Sequence, residues 1–152
     1  MGAHTYIRNY VHVVFSTKHR LRSLATLQIR MRLWRYIAGI AEQNGFPALA
    51  VGGYDDHCHV LIELPATIMI SKAVQRIKVV SSKWLTDTYQ EFNDFAWQEG
   101  YSAFSVSTSQ VKRVVEYIDR QEEHHKRIDF KDEYVAFLKK NNLQYDNRYI
   151  FG

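Results

Sequence analysis

The sequence predicts an α+β domain whose strands and helices follow the order βαββαβ, with two further helices at the C-terminus. Three observations support this prediction. In four short segments apolar residues alternate with period two, as they do along a strand. Between the first and second segments, and between the third and fourth, apolar residues recur every three to four positions, as on the buried face of a helix. The length of 152 residues suits one domain that covers residues 1–152.

The first strand and the first helix lie in the N-terminal third of the chain. Residues 6–17 alternate between two apolar faces, which predicts a strand that is packed on both sides. A basic loop follows over residues 18–23. Residues 24–43 carry a helical apolar stripe, and Asn44 and Gly45 form a common type of helix stop.

Two more strands come before the second helix. Residues 46–51 predict a short strand, and residues 52–56 predict the turn that follows it. The third strand begins at His57 and ends before Pro65, which lacks the N–H group that a sheet ladder needs. A second helical stripe then covers residues 70–89.

The C-terminal third contains the last strand and two helices. Residues 101–107 alternate again and predict the fourth strand. A helix begins near Gln110, for which Ser107 or Thr108 is a candidate N-cap, and Asp129 is a candidate N-cap of the last helix. This order of elements is the split-βαβ arrangement of ferredoxin-like folds, in which the first and third strands occupy the middle of an antiparallel sheet.

Two histidines on the third strand are candidate metal ligands. Side chains two apart on a strand point to one face, so His57 and His59, with Cα atoms roughly 6.5 Å apart, can reach one ion. Two polar residues on an exposed sheet face remain an alternative. Cys58 points to the opposite face and is interpreted as a core residue. The neighbouring histidines 124 and 125 are interpreted as a solvated helix end rather than a second metal site.

The helix that follows the last strand carries a candidate nucleophile. Tyr117 and Gln121 stand four residues apart and therefore share one helix face, at the edge of the apolar stripe. A metal site beside a tyrosine indicates phosphoryl transfer through a covalent tyrosine intermediate. A phenol has a pKa of about 10, so it needs a metal ion and positive charge to attack a phosphate. Ordinary packing is the alternative, since the chain has ten tyrosines.

Positive charge is concentrated in the N-terminal third. The chain has a net charge of +4, and residues 1–50 hold seven basic side chains against one acidic side chain, Glu42. Such a block suits a polyanion such as nucleic acid, although a solvated helix face and a charged loop would look the same. The candidate phosphate-binding residues are Lys18, Arg20, Arg22, Arg30, Arg35 and, on the tyrosine helix, Arg113.

The cysteine content and the N-terminal residues predict the cellular compartment of the protein. A single cysteine excludes an internal disulfide framework, and residues 1–10 lack the features of a signal peptide. We therefore expect a cytoplasmic protein with no membrane association.

These motifs together resemble the small single-tyrosine HUH transposases of bacterial insertion sequences. The family is named for a His-hydrophobic-His strand, which residues 57–59 match, and residues 60–62 match the apolar end of that strand. Residues 100–107 match the segment before the tyrosine helix, and residues 117–121 match its Tyr-Ile-x-x-Gln motif. Residues 122–149 resemble the extended C-terminus of one branch, the REP-associated tyrosine transposases.

The resemblance implies a DNA transposase that cleaves and rejoins hairpin-flanked single-stranded DNA. It implies a Mg²⁺ or Mn²⁺ ion held by His57, His59 and Gln121, with Tyr117 forming the 5′-phosphotyrosine intermediate. It also implies a homodimer, in which the tyrosine acts either on its own chain's site or on its partner's.

Two other functions remain open from the sequence. A replication initiator or relaxase would use the same chemistry, but such chains usually carry further domains. A non-catalytic or domesticated single-stranded nucleic-acid-binding module on the same fold would stack bases on aromatic residues of the central strands. Tyr10 and His12 keep that alternative open, whereas the two histidines of the third strand favour a metal.

Overall fold

The computed structural model describes residues 4–151, and its four strands form one antiparallel sheet. The strands are β1 (Tyr10–Ser16), β2 (Ala48–Tyr54), β3 (His57–Glu63) and β4 (Ser102–Val106). Their order across the sheet is β2-β3-β1-β4, so β1 and β3 are central. The predicted ferredoxin-like topology is confirmed.

Helices pack on both faces of this sheet. Within residues 4–151 the α-helices are α1 (Leu27–Gln43), α2 (Ile70–Thr88), α3 (Val111–Asp119), α4 (Gln121–His124) and α5 (Phe130–Lys140). The first two helices cover one face and enclose the largest apolar core. The last three cover the other face, where the apolar clusters are smaller. None of the helices in the described part of the chain is long and apolar enough to cross a membrane.

The period-two alternation of β3 decides which side chains reach which face. Cys58 and Val60 are buried in the core beneath α1 and α2, as expected for Cys58. Leu61 packs on the opposite face against α3, and His57 and His59 point the same way, towards α4 and α5. The candidate site therefore lies on the face that the three C-terminal helices cover.

The tyrosine helix differs from its prediction in two ways. It is not continuous, because Arg120, with φ −98° and ψ 13°, separates α3 from α4. Its predicted caps are also wrong: neither Ser107 nor Thr108 makes a capping hydrogen bond, and a single 3-10 turn leads into α3 instead. Asp129 does cap α5, since its carboxylate accepts a hydrogen bond from the Asp132 backbone N–H at 3.0 Å.

A glycine in β2 allows α3 to approach the sheet closely. A Cβ atom on Gly52 would lie 2.6 Å from the carbonyl oxygen of Ile118 in α3. Any side chain at this position would therefore push the tyrosine helix away from the strands. The close contact fixes the depth at which Tyr117, one residue before Ile118, sits above β3.

Candidate active site

The two histidines of β3 are buried side by side beneath α5. His57 and His59 are 0% exposed, and their ring centroids lie 5.1 Å apart. The ring of His57 also stacks on Phe130 of α5 at a centroid distance of 4.0 Å. The same-face arrangement expected from the spacing is present, and an exposed polar sheet face does not describe these residues.

Each histidine is oriented by a polar partner at its Nδ1 atom. His57 Nδ1 lies 2.8 Å from Asp56 Oδ1, and His59 Nδ1 lies 2.8 Å from His12 Nε2. Burial, together with repulsion from His59, lowers the pKa of His12 to about 3, so this ring is neutral. Such outer partners hold the rings of metal-binding histidines in one orientation. Both Nε2 atoms consequently face α4 and α5.

A carboxylate from α5 occupies the centre of the site. Glu133 is 3% exposed, and its Oε1 lies 3.0 Å from His59 Nε2 and 3.6 Å from His57 Nε2. Burial alone would raise the pKa of Glu133, but its interactions with the imidazoles of His59, His125 and His57 lower that pKa well below its usual range. Glu133 is therefore ionised, and its negative charge lies among the imidazoles.

The Gln121 amide joins the histidines to this carboxylate. Its Oε1 lies 2.8 Å from His57 Nε2, and its Nε2 donates to Glu133 Oε2 at 3.1 Å. The side chain is 1% exposed although α3 ends at Arg120. The break in the helix has thus not removed Gln121 from the position that the Tyr-Ile-x-x-Gln spacing predicted.

Tyr117 lies above the histidines of its own chain. Its ring centroid is 5.7 Å from that of His59, and its hydroxyl donates a hydrogen bond to Glu133 Oε2. Burial raises the pKa of Tyr117, and the negative charge of Glu133 raises it further. The phenol is therefore protonated at neutral pH and requires additional positive charge before it can act as a nucleophile.

The interpretation of residues 124 and 125 as a solvated helix end is wrong for His125. Its side chain is 2% exposed, and its Nε2 lies 3.3 Å from Glu133 Oε2. His124 is one-third exposed, with Nε2 3.1 Å from the same oxygen and 3.5 Å from the Tyr117 hydroxyl. Both rings therefore belong to the site rather than to the solvent.

The donor atoms gathered here fit a divalent cation. Imidazole nitrogens suit first-row transition ions, and amide and carboxylate oxygens also suit Mg²⁺ and Mn²⁺. His57, His125 and Glu133 each offer one ligand atom, and these three atoms lie within 4.8 Å of one another. Within residues 4–151, His125 Nε2 is also a buried polar atom with no hydrogen-bond partner. A cation would give that nitrogen a partner.

Comparison with known proteins identifies the family of the chain. The model of the IS200-like transposases matches residues 5–121, which include the β3 histidines, Tyr117 and Gln121. The chain belongs to this family. Membership supports a transposase function. No curated protein matches the chain significantly.

Solved structures agree with the fold of this IS200-like transposase. A candidate transposase from Deinococcus radiodurans R1 is 21% identical, with a TM-score of 0.62, and the match covers 80% of this chain and 96% of that one. A REP-associated tyrosine transposase, solved bound to a REP hairpin, is 19% identical with a TM-score of 0.59. That match covers 84% of this chain and 75% of the other.

Arg30 of the transposase is not an exposed phosphate-binding residue. It is 5% exposed, and its guanidinium group donates to both carboxylate oxygens of Glu122 at 3.1 and 2.9 Å. Its Nη1 also donates to the backbone carbonyls of Leu24 and Ala25. These partners tie α1 to α4, so Arg30 stabilises the fold next to the site instead of facing solvent.

The other predicted basic residues remain accessible. Lys18, Arg22 and Arg35 are exposed, whereas Arg20 is partly buried and pairs with Asp129 at 3.2 Å. Arg113 is exposed on α3 and lines a groove that also contains Tyr117.

This groove opens beside Tyr117. It has a volume of about 590 Å³ and runs along α3 and α4. Three arginines, Arg113, Arg120 and Arg127, line it together with Tyr117 and His124. Two glutamates, at positions 116 and 123, also line it. The basic character of the groove was missed in the sequence because acidic residues alternate with the arginines there.

Glu133 was also not predicted as a site residue, although its position in the sequence indicates a buried acidic side chain. It lies three residues after Phe130 and four before Phe137, so it occupies the apolar stripe of α5. An acidic residue in such a stripe is buried and needs partners. His12 and Asp56 gave no comparable signal, because their roles depend on contacts across the sheet and at a turn.

Proposed function

We propose that this chain is a transposase that cleaves and rejoins single-stranded DNA next to a hairpin, through a 5′-phosphotyrosine on Tyr117. The proposal includes a divalent ion, Mg²⁺ or Mn²⁺, held by His57, His59 and Gln121. One observation carries it: the hydroxyl of Tyr117 and the amide of Gln121 meet at the same buried carboxylate oxygen, beside the Nε2 atoms of both histidines. Family membership supports the same chemistry.

The residues of the chain account for the steps of this reaction. A divalent ion would polarise the scissile phosphate and supply positive charge at the site. The hydroxyl oxygen of Tyr117 attacks phosphorus, the bond to the 3′ oxygen breaks, and a free 3′-hydroxyl leaves. Glu133 Oε2 already accepts the hydrogen bond of the attacking hydroxyl, so it orients that oxygen and stands next to the departing proton.

The second step restores the DNA strand. A 3′-hydroxyl from another DNA end attacks the phosphotyrosine, which releases Tyr117 and forms a new phosphodiester bond. The energy of the broken bond is kept in the intermediate, so no nucleotide is hydrolysed. The absence of a P-loop pattern from the sequence agrees with such a reaction.

Single-stranded DNA is the substrate that the groove beside Tyr117 favours. Arg113, Arg120 and Arg127 line its walls, and a phosphate backbone running along them would bring one phosphate to the tyrosine. The REP-associated relative is bound to a hairpin, which supports a hairpin-containing substrate for this chain as well.

The proposal is tested by incubating the purified chain with labelled single-stranded DNA from the flanks of its own gene. With Mn²⁺ present, we expect a cleaved strand and a covalent protein–DNA adduct on a denaturing gel, and with a chelator neither product. Hairpin binding without any adduct would instead support the non-catalytic module.

Neutralising the arginines of the groove should reduce the salt dependence of DNA binding. Replacing Arg113, Arg120 and Arg127 with alanine removes three potential phosphate contacts, each worth about 0.7 in the slope of log K against log salt for single strands. We expect the slope to fall by roughly 2. The measurement is fluorescence anisotropy of a labelled oligonucleotide at several salt concentrations.

The matched control removes the same charge from α2, on the other face of the sheet. Replacing exposed Lys72, Arg76 and Lys83 with alanine should leave the slope near that of the wild type. If the two triple variants have equal slopes, the groove arginines do not contact the DNA phosphates.

A further inference from the structure

Two residues of the site lie outside the part of the chain that the family model matches. That match ends at residue 121, whereas His125 follows α4 and Glu133 lies on α5. Both side chains nevertheless reach the histidines of β3. His125 and His57 have ring centroids 4.4 Å apart, and Glu133 Oε1 lies 3.0 Å from His59 Nε2.

The ring of His125 is held in place but its Nε2 is not hydrogen-bonded. Tyr54 stacks beside the ring at 5.8 Å, with an interplanar angle of 19°. Nε2 is buried and has no hydrogen-bond partner within residues 4–151; it comes within 3.3 Å of Glu133 Oε2 without the geometry of a hydrogen bond. A buried polar atom left in this state destabilises the folded chain. A bound ion would satisfy it.

The surroundings of the Glu133 carboxylate also favour a bound cation. This carboxylate is surrounded by the imidazoles of His57, His59, His124 and His125, with Nε2–oxygen distances from 3.0 to 3.6 Å. A buried carboxylate is compensated by paired charge or by a metal ion. One cation bound between His57, His125 and Glu133 would reach a ligand atom of each, since these atoms lie within 4.8 Å of one another.

We propose that His125 and Glu133 are direct metal ligands, so that the ion is held by three imidazoles, one carboxylate and the amide oxygen of Gln121. This inference rests on the proposed function, because it adds ligands to that metal site. A nitrogen-rich set of this kind favours first-row transition ions, whereas Mg²⁺ prefers oxygen ligands and keeps much of its water. The chain should therefore bind Co²⁺ or Mn²⁺ more tightly than Mg²⁺ in the absence of DNA.

The test measures Co²⁺ binding by calorimetry and visible absorption, without DNA. Glu133→Gln keeps the shape of the side chain, and His125→Phe keeps the ring against Tyr54; each should weaken Co²⁺ binding at least about 100-fold, beyond the range typical of residues that only orient a ligand. The control, Asp132→Asn, removes an exposed carboxylate on α5 next to Glu133 in the sequence and should bind Co²⁺ like the wild type.

Measurements on the wild-type chain make the test independent of how the variants fold. X-ray absorption of the Co²⁺-loaded chain should count three imidazole ligands, and a count of two would overturn the proposed ligand set. Unchanged or tighter Co²⁺ binding by folded Glu133→Gln would show that Glu133 only accepts hydrogen bonds. The proposed function would survive either result if the wild type still forms the adduct, whereas a wild type that binds no divalent ion would overturn both.

Discussion

The Tyr117→Phe variant is expected to lose strand cleavage and the covalent adduct completely, while it still binds single-stranded DNA. The substitution removes the hydroxyl and keeps the ring, whose edge contacts with His59 and Phe137 do not involve the oxygen. The hydrogen bond to the ionised Glu133 is lost, which should cost about 1.5–3 kcal/mol of unfolding free energy. Denaturing gels, anisotropy and urea unfolding measure the three properties.

Tyr134→Phe is the matched control for this experiment. Tyr134 lies on α5 close to the site, and its buried hydroxyl is hydrogen-bonded to Ser102. The control therefore removes the same atom and a similar interaction from a tyrosine that does not contact the histidines of β3. It should cleave DNA at close to the wild-type rate. An adduct mapped by mass spectrometry to Tyr134, or residual cleavage by Tyr117→Phe, would contradict the assignment of the nucleophile.

The two-residue alternation of the sequence was sufficient to assign the β3 side chains to the two faces of the sheet. Alternation along β3 separates His57 and His59 from Cys58, and the βαββαβ order puts that strand in the middle of the sheet. Both facts depend on local geometry and on a small set of allowed topologies, so they can be inferred without coordinates. The same holds for Gln121, which is four residues from Tyr117.

Contacts between distant segments could not be inferred in this way. Glu133 is 74 residues from His59, and nothing in either local pattern states that α5 folds back over β3. Arg30 is a different case. It precedes Leu33 and Trp34 by three and four residues, so it lies in the buried stripe of α1. This position already favours a buried arginine over the predicted phosphate-binding one.

His59→Gln is expected to reduce metal-dependent cleavage by at least about 100-fold, comparable to the loss of one preorganised electrostatic group in other enzymes. His59 is fully buried and contributes the Nε2 that faces Glu133. Glutamine is close to it in size, so the packing around β3 should largely persist. The rate of adduct formation at saturating Mn²⁺ measures the effect, and a variant that cleaves at the wild-type rate would exclude His59 from the site.

Mixing His59→Gln with Tyr117→Phe should restore no activity at any ratio. Each variant lacks one half of the chemistry, so cleavage could recover only if the tyrosine of one chain served the histidines of another. Within a single chain the Tyr117 and His59 rings already lie 5.7 Å apart, and Gly52 lets α3 pack closely enough to hold them there. Every complete site in the mixture would then need both intact residues on one chain, which neither variant has. Recovered cleavage would show instead that α3 is exchanged between the two chains of a dimer.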